Sequence, residues 1–435
     1  MVKLSFLGSC REIGRSGILV ESKNGDKCIL DYGIGFNKEK RMPHEVDFNN
    51  LKAVALTHSH VDHSGALPYL YKEFTHPFLT NSISLAITEV LIKDMIRISN
   101  YPYPFGYREL NLLKQNAIFL EAGNRYKISD NFFVTFIEAG HIPGSVSILL
   151  EVDNKNILYT GDFNTGETNL ITHANSSNIP PLDGLIIEST YALRDHPPRE
   201  TVEEKFVEKV IEITENGGKV LIPAFGVARS QEALLILEKF KYQGNIFIDG
   251  LARKVSTIFL EHPKFIKDFK TFQRAIRRSQ FVLNKKDRVS VRKKKGVIIS
   301  PSGMLKGGAA IDYLQTILND PSSAIYLVGY QVEGSPGRGL IDEGVFKFKD
   351  LNKRKSVLGD TSIKAVCDYD YFDFSSHVDG KNLRKYILTL NFRKNSNKNI
   401  FCVHGDNKST TTLASDLVDL DFNSVAPETG EVYKI

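Results

Sequence analysis

Cysteine is scarce in this chain, and long apolar runs are absent. The four cysteines, Cys10, Cys28, Cys367 and Cys402, lie far apart and form no CxxC pair. That excludes a disulfide scaffold and a zinc knuckle, and makes a reducing cytoplasm the expected compartment. No stretch approaches the roughly 18 apolar residues that cross a bilayer, so no membrane role is expected. The opening residues 1–8 carry too short an apolar stretch for a signal peptide and read as a first strand. There is no internal repeat and no low-complexity linker. The glycine-rich stretch 300–308 has neither GxxxxGK[ST] nor GxGxxG spacing, which rules out a nucleotide-binding fingerprint. It leaves a phosphate-contacting loop or a plain turn.

The composition is that of an ordinary enzyme, 42% hydrophobic and 25% charged. At 435 residues the chain has room for two or three domains with ample core. Net charge is a modest +5, but the basic residues are uneven. Arg274, Arg277, Arg278, Lys285, Lys286, Arg288, Arg292, Lys293, Lys294 and Lys295 fall in one stretch with only Asp287 against them. Lys353, Arg354 and Lys355 form a second, shorter run. Such runs are either a solvated face or a track for a polyanion.

Histidine is also sparse, 11 in all, yet concentrated. His58-Ser59-His60-Val61-Asp62-His63 puts four metal-competent side chains in six residues. The apolar run 53–57 before it reads as a buried strand, and residues 64–70 after it read as the start of a helix. A strand-to-helix turn can converge side chains on one point, and imidazoles with a carboxylate suit zinc. Three other stretches share one grammar, an apolar run ending in a potential ligand beside a glycine: His141 after 132–137, Asp162 in Thr160-Gly161-Asp162, and His404 in Val403-His404-Gly405. Glycine there lets the backbone turn tightly. His44, His76, His173, His196 and His262 lack that setting and read as loop or surface residues.

Strand-like runs at 2–7, 17–21, 27–32, 53–56, 132–137, 147–152 and 157–160 are accompanied by helix-like segments after His63 and over 85–98. From about residue 200 the pattern changes. Helix-like 202–215 and 230–239 alternate with strand-like 219–222, 245–248, 296–299 and 323–328, which predicts parallel βαβ units. The metal-competent motifs resume after this block. The chain therefore reads as α/β: one discontinuous domain over 1–192 and 372–435, with a parallel α/β domain inserted at 193–371.

HSHVDH, His141, Asp162 in TGDFN, and Asp31 in Cys28-Ile29-Leu30-Asp31-Tyr32-Gly33 together resemble the motifs of the metallo-β-lactamase superfamily. Glu188 in Ile187-Glu188-Ser189-Thr190-Tyr191 resembles motif A of its β-CASP nucleases, His377 in Ser375-Ser376-His377-Val378-Asp379 motif B, and His404 motif C. The phrases over 222–232 and 329–334 are also similar to this group. The resemblance covers nearly the whole chain and is nearest to the cleavage and polyadenylation specificity factor endonucleases in their short archaeal form, without KH domains. It implies an αββα metallo-β-lactamase sandwich with an inserted Rossmann-like β-CASP domain. It also implies two zinc ions, one held by His58, His60 and His141, the other by Asp62, His63 and His404, with Asp162 shared. Asp31 would support a ligand histidine from behind.

The implied activity is hydrolysis of RNA phosphodiester bonds by hydroxide attack at the two zincs. Asp62 and Asp162 would belong to the catalytic centre, and His377 would be the general acid, oriented by Glu188. Cleavage would be endonucleolytic, with 5′→3′ exonucleolysis left open, in RNA processing, decay or transcript 3′-end formation. The alternatives are an RNase J-like exoribonuclease, a DNA-repair nuclease of the same group and a small-molecule metallohydrolase. By resemblance, His404 favours RNA over DNA, and the inserted domain with His377 argues against a small substrate. Single-stranded RNA is the expected partner; a homodimer or RNA-processing partners are left open. Arg229 and Ser230 at a helix start, and Lys293, Lys294 and Lys295, are the candidate RNA contacts.

Overall fold

The computed structural model describes residues 1–35, 41–45, 47–73, 75–348 and 361–435. The run Lys353-Arg354-Lys355 lies outside the described residues. The chain divides into two compact units, one of Met1–Gly166, Thr172–Asp195 and Ser376–Ile435, the other of Glu167–Ile171 and His196–Ser375.

The first unit holds two seven-stranded sheets. One runs in the order Val432–Lys434, Lys3–Gly8, Gly17–Glu21, Lys27–Leu30, Leu51–Ala55, Phe78–Thr80, Ala117–Phe119. The other runs Asn423–Val425, Asn399–Val403, Gly184–Glu188, Lys155–Tyr159, Val146–Val152, Phe132–Glu138, Arg125–Ser129. Most of these strands are apolar on both faces, so successive residues enter different cores. Ile18, Val20, Cys28, Leu30, Ala53 and Ala55 face Ile148, Leu150, Ile157, Tyr159, Ile186 and Phe401 between the sheets. Their neighbours Leu19, Ile29 and Val54 instead pack under Leu85, Ile92, Leu110 and Leu113, which belong to the helices Ser82–Ile98 and Tyr107–Gln115. On the opposite flank Leu149, Leu158, Leu185, Ile187 and Cys402 pack under Leu383, Ile387, Leu413 and Leu417, from the helices Gly380–Thr389 and Asn407–Val418. Helices on the two outer faces of two stacked sheets make the αββα sandwich that the resemblance implies.

The second unit is a parallel six-stranded sheet in the order Gln280–Phe281, Ile246–Ile248, Gly296–Ser300, Lys219–Pro223, Ala324–Leu327, Asp368–Tyr371. Helices connect its strands, and an antiparallel hairpin, Val345–Phe348 with Thr361–Lys364, adds a small second sheet. The short stretch Glu167–Ile171 joins this unit because Glu232 accepts the backbone N–H groups of Asn169 and Leu170 at 2.9 and 3.0 Å. All four cysteines are buried and free. Among the described residues no helix is long and apolar enough to cross a membrane.

The expected helix after His63 is not continuous. A single turn, Val61–Ser64, already contains Asp62 and His63, and a separate 3₁₀ segment, Leu67–Tyr71, follows. Gly65 and Pro68 explain the break, since neither favours the interior of an α-helix. His76, read as a loop or surface residue, is buried with its ring 5.8 Å from that of Tyr71.

Candidate metal centre

The singled-out residues of the first unit fall just past the ends of strands. Asp31 follows Lys27–Leu30, His58 follows Leu51–Ala55, Asp162 follows Lys155–Tyr159 and His404 follows Asn399–Val403; Glu188 closes Gly184–Glu188. Lys27–Leu30 and Leu51–Ala55 are parallel, as are the three named strands of the second sheet. Their C-terminal ends therefore present these side chains at common sheet edges. Close backbone approach is needed to bring them together. A Cβ on Gly33 would lie 1.7 Å from the Asp62 carbonyl oxygen, and Gly161, at φ +54, sits against the Thr57 side chain. Larger residues at either place would push the ligand turns apart.

Two groups of donor atoms result. In the first, His58 Nε2 and His141 Nε2 lie 3.1 and 3.2 Å from His60 Nδ1. Asp162 Oδ2 lies 3.4 Å from His58 Nε2 and 3.7 Å from His141 Nε2. In the second, Asp162 Oδ1 lies 3.3 Å from His63 Nε2 and 3.4 Å from His404 Nδ1, and His404 Nε2 is 3.4 Å from Asp62 Oδ2. The ligand atoms of His58, His60, His141 and Asp162 lie within 4.8 Å of one another, as do those of Asp62, His63 and His404. The two oxygens of Asp162 thus face different groups.

Other atoms set which ring nitrogens point inward. His141 Nδ1 donates to the Ser376 carbonyl at 2.8 Å, leaving Nε2 to face the site. His58 Nδ1 is 3.1 Å from the Thr57 hydroxyl. His63 Nδ1 is 2.7 Å from Asp31 Oδ2, which also accepts the Thr57 and Tyr159 hydroxyls at 2.7 and 2.9 Å. Ser16 Oγ approaches His63 Nε2 at 3.3 Å. Holding the outer nitrogen of a histidine fixes its tautomer and aims the inner lone pair.

Burial pushes the imidazoles of His58 and His141 well below their ordinary value and that of His60 down to about 4, so their rings are neutral at pH 7. Burial also opposes charge on His63, but Asp162 and Asp31 outweigh it and raise that ring well above its ordinary value. Burial disfavours the Asp162 carboxylate, yet His404 and His63 hold it well below the usual carboxylate range. Asp162 Oδ1 and His404 Nε2 are buried and without hydrogen-bond partners, and the converging N and O donors are groups that could hold a metal ion; a donor set of this kind fits zinc.

Beside the two groups stands a third arrangement. His377 Nδ1 is 2.8 Å from Glu188 Oε2, and His377 Nε2 is 3.9 Å from Asp162 Oδ2. Glu188 is buried; its Oε1 accepts Phe163 N–H at 2.8 Å and its Oε2 the Thr190 hydroxyl at 2.5 Å.

The candidate RNA contacts lie in the other unit and differ among themselves. Ser230 is buried and donates to the Phe225 carbonyl at 2.8 Å, so its hydroxyl closes the turn before the helix Arg229–Lys239. The Arg229 guanidinium donates to the Phe374 carbonyl. Lys293, Lys294 and Lys295 are exposed. Within the same basic stretch Arg274 and Arg278 pair with Glu238, and Arg288 with Asp249 and Asp312. Composition alone could not reveal those pairings. Thr57, Tyr159, Thr190, Ser16 and Ser376 were missed from sequence. Thr57, Thr190 and Ser376 carry only a hydroxyl near a singled-out residue, Tyr159 only its place at the end of a strand, and Ser16 no mark at all.

Residues 230–340 match the model of the Beta-Casp domain, and residues 362–427 that of the Zn-dependent metallo-hydrolase RNA specificity domain. Residues 3–182 match that of the anti-Pycsar protein Apyc1. The chain is 33% identical to the probable RNase MJ4 of Methanocaldococcus jannaschii over 100% of both chains. It is 33% identical to RNase aCSPSF2 of Saccharolobus solfataricus, over 98% of this chain and 84% of that one. It is 31% identical to the transcription termination factor FttA of Methanothermobacter thermautotrophicus, over 95% of this chain and 69% of that one. A crystal structure of a protein of unknown function from Enterococcus faecalis V583 has the same fold, at TM-score 0.64 and 15% identity over 99% of each chain. The protein is a metallo-hydrolase of the metallo-β-lactamase fold. Within that class it belongs to the β-CASP family, alongside these archaeal relatives.

Proposed function

We propose that the protein is a zinc-dependent ribonuclease that hydrolyses single-stranded RNA internally, in RNA processing, decay or transcript 3′-end formation. The observation that carries this reading is the division of Asp162, whose two oxygens face two separate sets of imidazole and carboxylate donors. His58, His60 and His141 would hold one zinc and Asp62, His63 and His404 the other, with Asp162 available to both. Such ions would supply a water of lowered pKa and positive charge for the scissile phosphate. RNA as substrate is supported by the relatives named as RNases and as a termination factor. The inserted domain is the unit His196–Ser375, and its exposed Lys293–295 run offers cations to the RNA backbone.

The chain's own residues handle the proton. Glu188 receives His377 Nδ1–H, which turns Nε2 toward Asp162 and the reacting centre. The leaving oxygen takes its proton from Nε2, and Glu188, anchored by Phe163 N–H and the Thr190 hydroxyl, keeps the ring in place through that transfer.

The test uses pure full-length protein, assayed for zinc by elemental analysis and incubated with RNA labelled at either end. The RNA bears a 5′-hydroxyl, monophosphate or triphosphate, and a matched single-stranded DNA runs in parallel. Two zincs per chain and internal cuts in RNA well ahead of DNA are expected. Active protein with one zinc or none sinks the two-metal reading. Stepwise shortening from the 5′ end moves the enzyme to the exonucleases, and equal rates on DNA move it to the repair branch.

A further inference from the structure

Several hydroxyls around the centre have no role in the mechanism above beyond holding a neighbour. One of them touches both halves of the machinery. Thr190 Oγ1 is 2.5 Å from Glu188 Oε2, 3.2 Å from His404 Nδ1 and 3.0 Å from the His404 carbonyl oxygen. A threonine hydroxyl has one proton to give and lone pairs to receive. The 2.5 Å contact to a carboxylate is the shortest and is charge-assisted, so it takes the proton. A lone pair of Oγ1 is then left facing His404 Nδ1, which donates to it. His404 Nδ1 is also 3.4 Å from Asp162 Oδ1, a longer approach.

With the proton on Nδ1, the bare nitrogen of His404 is Nε2. That atom is buried, has no hydrogen-bond partner and sits 3.4 Å from Asp62 Oδ2. The same Glu188 Oε2 accepts His377 Nδ1–H at 2.8 Å. One carboxylate oxygen therefore holds two histidines, His377 directly and His404 through the threonine. The centre contains this construction twice. Asp31 Oδ2 accepts His63 Nδ1–H at 2.7 Å and the Thr57 hydroxyl at 2.7 Å, and Thr57 Oγ1 lies 3.1 Å from His58 Nδ1. There too a threonine extends one buried carboxylate to a second histidine.

We propose that Thr190 is a positioning residue that couples the proton-donor pair His377–Glu188 to His404, so that one hydroxyl sets both zinc retention at the second ligand set and proton delivery. This rests on the function proposed above. It differs from a packing role because both effects follow the hydroxyl rather than the side-chain volume.

The experiment compares T190V, which keeps the shape, with T190S, which keeps the hydroxyl, in the full-length zinc-loaded protein. Zinc retained against a graded chelator is one readout. The other, at saturating zinc, is the ratio of cleavage rates on RNA and on an aryl phosphodiester whose leaving group needs no proton. T190V is expected to release one of its two zincs at roughly 10–100-fold lower chelator, the usual cost of losing a residue that supports a ligand. Its RNA-to-aryl ratio is expected to fall about tenfold or more, part of the 10²–10⁴ a general acid contributes. T190S is expected to restore both. If T190V does not fold, T190A carries the same expectation. Wild-type values for T190V in both readouts overturn the coupling, as does a loss that T190S fails to restore. Wild-type protein that holds no zinc overturns the proposed function itself, which separates the two failures.

Discussion

Asp31→Ala should be among the most damaging single changes in the sandwich. Asp31 is fully buried and accepts the Thr57 N–H, the His63 Nδ1–H and the hydroxyls of Thr57 and Tyr159. Truncation leaves at least three of these donors without a partner. A buried donor so stranded costs about 1–3 kcal/mol, so the sum is on the order of 3–9 kcal/mol. Asp31 also sits at φ +57, where a Cβ without a polar tip costs about 1–2 kcal/mol more. In a domain of about 150–250 residues, each kcal/mol moves the melting point by roughly 2–4 °C. The melting point of metal-free protein, held in chelator so that zinc cannot mask the loss, should therefore fall by roughly 10 °C or more. Asp31→Asn tolerates the left-handed backbone and keeps one acceptor oxygen, so its loss should be about half as large. Zinc binding should weaken in both variants, since His63 loses its support. A melting point for Asp31→Ala within about 3 °C of wild type would refute this account of the buried network.

His377→Ala should keep both zincs and still bind RNA while cleavage falls about 10²–10⁴-fold. His404→Ala should lose zinc as well as rate, so zinc content after dialysis separates the two roles; the reverse pattern would exchange them. Replacing Lys293, Lys294 and Lys295 by alanine should weaken RNA binding and lower the slope of log K against log salt by roughly 0.7 per lost phosphate contact, with zinc content unchanged. An unaltered slope would reduce the run to a solvated face. The metal-free protein should lose thermal stability as pH falls. His60 is pushed down to about 4 in the fold against 6.5 as its ordinary value. The unfolded chain therefore takes up the proton first, and the stabilisation present above pH 6.5 is lost on the way down to about 4. A flat melting profile over that window would contradict the burial of the imidazole cluster.

The turns that converge were legible because their chemistry is local. Three histidines and an aspartate in six residues need no partner to be noticed, and an apolar run ending in His404-Gly405 or Gly161-Asp162 marks a strand end by itself. The hydroxyls were not legible. Thr190 lies 214 residues from His404 and Tyr159 lies 128 from Asp31, and neither has a periodic or compositional mark. Register decides them. Pairing of Gly184–Glu188 with Asn399–Val403 sets Glu188 opposite Val403 and so brings Thr190 to His404. The same limit explains the basic stretch. Arg274, Arg278 and Arg288 look like their lysine neighbours in sequence, yet Glu238, Asp249 and Asp312 claim them. The edge strand Val432–Lys434 escaped notice because three residues are too few to show alternation.

The order of strands in the second sheet has a consequence for synthesis. Asn399–Val403 lies directly beside Gly184–Glu188, although some 210 residues, including His196–Ser375 of the parallel unit, are made between them. Up to Asp162 a growing chain already has His58, His60, Asp62, His63 and His141, enough for one complete donor group. The other group and the proton donor wait for His404 and His377. On the proposed reading, a chain cut short ahead of Asn399 carries the residues of one candidate donor group and lacks the other, so it could not act as a nuclease.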